Sequence, residues 1–280
     1  MKQVASKGAL RFRAAPALAV VACVCVSGCA GSLASRPAVY TAEKTTIERQ
    51  GVVLNPVLVK PASPRTPAVL VVFASGDGGL MGVSKTVLQH LADRGDYVAG
   101  FSSREALGSI KGSREKVDVT EAIDHLQWMT SEAKAKLGLP PETPIIVTGM
   151  SRGANMVILA AASKAMRNDI VGAVAIALTR ELDYLSLPEE ALQRPGVKVD
   201  EQQRPQTYPA IERVGAIPLA VIQSTNDKYI PSAESRKLIG PDTPTRRVYE
   251  VKSSGHSFGG GEAALLSDLD DALDWIAKRK

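Results

Sequence analysis

The sequence predicts an α/β domain built on a mostly parallel sheet with helices on both faces. Three observations carry that expectation. Six short apolar runs read as strands buried on both sides, longer segments between them repeat apolar residues at i, i+3 and i+4, and glycine-rich or polar junctions separate the two. Strands that alternate with helices in this way form a sheet covered on both faces, because each crossover returns over it.

The strands, in order, are 68–74 (AVLVVFA), 97–101 (YVAGF), 144–149 (PIIVTG), 170–178 (IVGAVAIAL), 218–224 (PLAVIQS) and 246–252 (RRVYEVK). They are too short for helices, and most are rich in β-branched residues. The helical spacing falls in 84–95, 116–138, 151–167 and 262–280. Residues 66–280 are therefore expected to enclose one substantial core, without repeats or low-complexity stretches.

The first 65 residues read differently. Lys2, Lys7, Arg11 and Arg13 precede a mainly apolar run from Ala14 to Val26, which is too short to span a bilayer and suits the apolar core of a signal peptide. The run ends in VSGC, residues 26–29, which resembles a bacterial lipobox, where small residues allow cleavage just before a cysteine that takes lipid. The expectation is a signal peptide over 1–28 and a lipid anchor on Cys29; an ordinary secretory signal beside an incidental cysteine is the alternative. Ala30, rather than Asp, after the cysteine favours the outer membrane for a periplasm-facing lipoprotein. From 29 to 65 the chain reads as a tether and N-terminal strands, with 46–60 as a strand pair around Gly51 or Asn55.

Composition excludes several chemistries. Cys23, Cys25 and Cys29 all lie in or at the end of the signal, so the remaining domain has neither a thiol nucleophile nor a CxxC metal site. The formal charge of +5 falls to +1 once the four basic residues of the signal are removed, and nothing points to nucleic acid. No cofactor or metal is expected.

In a parallel sheet, ligands sit at the carboxyl ends of the strands. The first end carries SGDGG, residues 75–79, which lacks the third glycine of GxGxxG, and GVSKT after it has Ser84 where a phosphate loop needs glycine. The third carries GMSRG, 149–153, followed at once by a helical run. That context is a nucleophile elbow, with Gly149 and Gly153 making room for a tight strand-to-helix turn at Ser151. A second GxSxG, GHSFG at 255–259, follows the last strand through a loop, and Phe258 and three glycines make a poor first helical turn. The chain has three histidines, and His90 and His125 lie within helical patterns. His256 alone sits on a loop at a strand end, so this second match reads as the place of the base. Asp227, just past the fifth strand, is the expected acid, with Asp183 as the alternative. The order Ser151, Asp227, His256 is that of the α/β-hydrolase fold. An oxyanion hole would then use the backbone N–H of Arg152 and of Gly76 or Asp77. The Asp77 side chain reads as fixing the turn.

Together FASGDGG, GMSRGAN, Asp227 and GHSF resemble the bacterial VirJ/AcvB virulence-protein family, exported proteins of the α/β-hydrolase superfamily, from about residue 68 to the C-terminus. SGDGG is the most specific of these, because other hydrolases usually carry HG there. The resemblance implies a serine esterase acting at a membrane surface on aminoacyl-phosphatidylglycerol, an ester of an amino acid with a membrane lipid. The sequence departs from the family pattern at Leu80, Met150, Arg152 and Asn155, and in having Ser257 rather than a second histidine after His256. Residues 179–212, charged and proline-bearing, stand where such folds insert a cap, or form a long solvated connection. Arg104 and Arg152 could offer charge to a phosphate or carboxylate, or form surface ion pairs. Two function classes follow. One is a serine esterase, either on the lipid or as a general cell-envelope carboxylesterase; the other is a non-catalytic hydrolase-fold protein that docks a secretion partner.

Overall fold

The computed structural model describes residues 40–180, 182–187, 198–201 and 204–279. The signal peptide, Cys29, the tether to residue 39 and the middle of the expected cap, 188–197, lie outside the described residues.

Among the described residues, eight strands form the main sheet: β1 (Tyr40–Lys44), β2 (Val57–Pro61), β3 (Leu70–Ala74), β4 (Tyr97–Phe101), β5 (Ile145–Met150), β6 (Ile170–Ile176), β7 (Leu219–Ser224) and β8 (Arg246–Val251). Their spatial order is β1-β2-β4-β3-β5-β6-β7-β8. The last six run parallel, while β1 and β2 join antiparallel at one edge. The six apolar runs thus become the parallel part of the sheet, within about two residues of the expected bounds. The N-terminal strands are built into the same sheet, which begins at Tyr40 rather than at the expected boundary near residue 65.

Between β1 and β2 a small hairpin pairs Ile47–Arg49 with Val52–Leu54. Gln50 and Gly51, both at positive φ (54° and 79°), turn it. Two left-handed residues in a row match the right-handed twist of paired strands, which is why Gly51 rather than Asn55 makes the turn.

Among the described residues, six α-helices cover the sheet: α1 (Val83–Asp93), α2 (Ser103–Lys111), α3 (Val119–Leu137), α4 (Arg152–Ala162), α5 (Ser232–Ile239) and α6 (Glu262–Ala277). Alternation along β3 separates two cores. Leu70, Val72 and Ala74 face α2, α3 and α4, whereas Val71 and Phe73 face α1 and α6. Asp118 caps α3 by accepting from the N–H of Thr120 (2.7 Å) and Glu121 (3.3 Å), and Gly138 closes it at φ 71°. On the other face, His90 of α1 meets Asp270 of α6 at 2.8 Å, and Arg94 meets Asp274 at 3.0 Å. His90 therefore ties helices together. His125 bonds the Glu121 carbonyl one turn back at 3.0 Å. Neither histidine approaches the strand ends.

Candidate active site

The site forms where β3, β5, β7 and β8 end. Ser151 follows β5 with φ 53° and ψ −118°, a left-handed backbone that costs a non-glycine residue about 1–3 kcal/mol. Neighbours hold it there: its N–H donates to the Ile176 carbonyl at 2.8 Å, and its own carbonyl accepts from Asn155 at 3.2 Å. Gly149 and Gly153 are required by space. A Cβ on Gly149 would lie 2.3 Å from the Gly153 carbonyl oxygen, and one on Gly153 would lie 2.0 Å from that of Ala74.

His256 reaches the site from the loop after β8. Its Nε2 lies 2.9 Å from Ser151 Oγ and its Nδ1 lies 2.7 Å from Asp227 Oδ2. A buried carboxylate can only accept, so Nδ1 carries the proton and Nε2 is left to accept from the serine hydroxyl. Asp227 is 1% exposed, and its other oxygen accepts from the Tyr229 N–H at 2.9 Å. The second GxSxG supplies this histidine loop. Phe258, fully buried at φ 57°, anchors it, while Ser257 faces solvent. Asp183, the alternative acid, is exposed.

Gln223, which the sequence reading passed over, fixes the acid. It is fully buried at the end of β7, and its Nε2 donates to Asp227 Oδ2 at 3.0 Å and to the Ile230 carbonyl at 2.8 Å. Its Oε1 accepts from Leu178 N–H at 3.0 Å, which sets which end of the amide faces Asp227. The signal was available: a polar residue closing an otherwise apolar strand needs partners. Gln223→Leu is expected to lower kcat about 10²-fold by letting the carboxylate drift. Gln223→Glu keeps the Leu178 bond but sets a second carboxyl against Asp227, and should also be impaired. Steady-state kinetics beside a thermal melt check both; a Gln223→Leu protein of unaltered kcat would remove the residue from this role.

The loop after β3 approaches Ser151 from the other side. A Cβ on Gly76 would stand 3.2 Å from Ser151 Cβ, so only glycine lets the backbone this close without a shift. Ser75 N–H donates to the Phe101 carbonyl at 3.0 Å and Ser103 Oγ to the Ser75 carbonyl at 2.5 Å, which pins the loop to the start of α2. Among the described residues, no acceptor takes the N–H of Gly76, Asp77 or Arg152.

The side chains of Asp77 and Arg152 pair, with Nε 2.5 Å from Oδ1, which joins the loop after β3 to the start of α4. The Arg152 guanidinium also stacks on Tyr184 at 4.3 Å, and the Tyr184 hydroxyl donates to the Arg152 carbonyl at 2.9 Å. Burial pushes the Tyr184 phenol above its ordinary pKa, so it remains a donor. This contact brings the start of the expected cap, Leu182–Ser186, onto the elbow. Of the departures from the family pattern, Met150 and Asn155 are buried, and Asn155 Nδ2 donates to Thr179 Oγ1 at 2.9 Å. Leu80 and Arg152 are partly exposed. Tyr229 lies edge-on to the His256 ring with centroids 4.7 Å apart, and both it and Met81 are exposed.

The fold and its strand-end site define an α/β hydrolase in architecture. No family model and no curated protein matches the sequence. Solved structures do. The chain is similar to Est1E from Butyrivibrio proteoclasticus, with a TM-score of 0.56 at 16% identity over 84% of this chain and 99% of that one. It is similar to a putative dienelactone hydrolase from Klebsiella pneumoniae, with a TM-score of 0.58 at 16% identity over 85% and 98%. A soluble variant of monoglyceride lipase from Saccharomyces cerevisiae gives 0.57 at 15% identity over 84% and 96%. At such identities the likeness establishes the α/β-hydrolase fold, and the chemistry rests on this chain's own residues.

Proposed function

We propose that the protein is a serine esterase that works through an acyl-enzyme on Ser151. The observation that carries this reading is the hydrogen-bonded chain from Ser151 Oγ through His256 to buried Asp227, at 2.9 and 2.7 Å, with the serine on a strained elbow. His256 Nε2 takes the hydroxyl proton as Oγ bonds to the ester carbonyl carbon. The N–H groups of Arg152 and of Gly76 or Asp77 then hold the oxyanion, each worth about 3–4 kcal/mol in the transition state. Collapse breaks the bond to the alcohol, which leaves with the proton from Nε2. Water repeats the sequence to free the acid. Asp227 keeps the imidazole in one tautomer and Gln223 keeps Asp227 in place. Tyr184, near the start of the expected cap, bonds the elbow beside this site.

The protein acts from a membrane surface, as a lipoprotein cleaved after residue 28 and anchored through Cys29 to the periplasmic face of the outer membrane. The VSGC sequence supports this setting. Cys29→Ser is expected to leave the protein soluble or uncleaved; membrane fractionation and mass spectrometry of the mature N-terminus check it, and an unaltered protein without lipid on Cys29 would contradict it.

The substrate is an aminoacyl ester of phosphatidylglycerol, a reading supported by the VirJ/AcvB resemblance. Protein lacking its signal should release amino acid from aminoacyl-phosphatidylglycerol much faster than it cleaves short p-nitrophenyl esters. Cleavage of short acyl esters with no action on the lipid would mean a general cell-envelope carboxylesterase. Action on neither would favour a binding protein that docks a secretion partner.

A further inference from the structure

A second feature opens at the same edge of the sheet. Between the N-terminal hairpin and α2 lies a cleft of about 310 Å³, walled by Val53, Leu54, Phe101 and Ala106 and lined also by Ser102 and Glu105. The hairpin sits at the active-site edge because Val57, where β2 starts, pairs with Gly100 near the end of β4. Val53 N–H holds it there by donating to Ser109 Oγ of α2 at 2.9 Å.

The loop 75–79 stands between residues that line the cleft and the nucleophile. On one side, Ser75 bonds the Phe101 carbonyl, and a Cβ on Gly79 would lie 3.5 Å from Ser102 Oγ. On the other, a Cβ on Gly76 would lie 3.2 Å from Ser151 Cβ. β4 stands two strands from β5, so the two backbones are about 10 Å apart across the sheet. The glycines at 76, 78 and 79 leave that stretch of the path without side chains, and a Cβ on Gly78 would meet open space.

Proton transfer decides which part of an ester points this way. His256 must protonate the leaving oxygen, and it arrives from the β7 and β8 side of Ser151, as does Asp227. The alcohol therefore leaves on that side, and the acyl group extends toward β3 and β4. The cleft's volume is at the small end for a ligand site, and its lining is mixed, with Asn55, Ser102, Glu105 and Ser109 beside the four apolar residues. Glu105 is exposed and, among the described residues, forms no ion pair. Its carboxylate accepts hydrogen bonds and repels a carboxylate or phosphate.

We infer that this cleft receives the distal end of the substrate's acyl group, an apolar stem that ends in a hydrogen-bond donor; the inference rests on the esterase reading of Ser151. The test compares p-nitrophenyl acetate, octanoate and ω-hydroxyoctanoate. Unaltered protein should show the highest kcat/KM for the hydroxyoctanoate and the lowest for the acetate. Val53→Trp, which fills the cleft from an exposed strand position, should lower the octanoate-to-acetate ratio about tenfold. Glu105→Leu should instead erase the preference for the hydroxylated ester over octanoate. Fluorophosphonate labelling of Ser151 in each variant verifies that the fold survives. Ser151-dependent hydrolysis with a flat profile, or a Val53→Trp protein that keeps its preference, would overturn the subsite alone. Hydrolysis of none of the three would overturn both the subsite and the esterase reading beneath it.

Discussion

Ser151→Ala is expected to abolish ester hydrolysis while leaving the fold intact. Removing the nucleophile of a triad costs on the order of 10⁶ in kcat, because no other group offers an oxygen to the carbonyl with a base in line. The fold should survive for a local reason. Ser151 Oγ bonds His256 and nothing else among the described residues, and alanine at φ 53° carries the same backbone cost as serine. Rate measurement beside a thermal melt separates the two effects. Ser257→Ala is the control, because Ser257 faces solvent beside the base and should lose far less. A Ser257→Ala protein that is dead while Ser151→Ala remains active would mean that the nucleophile is the other GxSxG serine.

Gly153→Ala should have the largest effect on stability. The new Cβ would lie 2.0 Å from the Ala74 carbonyl oxygen and 2.7 Å from that of Ser75, and both are backbone atoms. No rotamer relieves such a clash; α4 must move away from β3. Overpacking in a core usually costs 1–3 kcal/mol, and a rigid backbone contact belongs at or above the top of that range, about 3 kcal/mol. The same displacement would draw Gly76 from Ser151 and widen the proposed oxyanion hole. Activity should therefore fall further than the folded fraction does. Urea denaturation and kcat on the folded population check this, with Gly78→Ala, whose Cβ meets open space, as a near-neutral comparison.

Much of this architecture was legible because its signals are local. The parallel strands announce themselves as apolar runs, and the elbow needs glycines at two fixed offsets from its serine. His256 could be assigned because its two rivals lie on helices. What escaped was short or tertiary. Helix α2 spans nine residues, yet Ser102 accepts from Glu105 N–H at its start, so SSRE was a readable capping signal. Helix α5 spans eight residues after Pro231 and carries too few apolar positions to stand out. Strand β2 falls largely in the run 46–60 that reads as strand, whereas β1 lies before it in the polar stretch that reads as tether, and nothing in so short a segment says that it will complete a distant sheet.

The supporting residues of the site show the same limit. Gln223 looks like the frayed end of a strand until Leu178, Ile230 and Asp227 are seen around it. Tyr184 lies 32 residues from Arg152, and no spacing rule joins them. The family pattern drew attention to positions 150 and 155 as places where the pocket differs. Both are buried, and Asn155 serves to tie down Thr179 at the start of the expected cap. Differences at the mouth rest with Leu80 and Arg152, and Arg152 is already paired to Asp77.

The central claim is that Ser151 is activated by His256. Incubation with a fluorophosphonate probe, followed by peptide mapping, tests it without reference to any substrate. Stoichiometric label on Ser151, lost in Ser151→Ala and strongly slowed in His256→Ala, is the expected result. No label on the folded protein, or label on Ser257 in its place, would contradict the account.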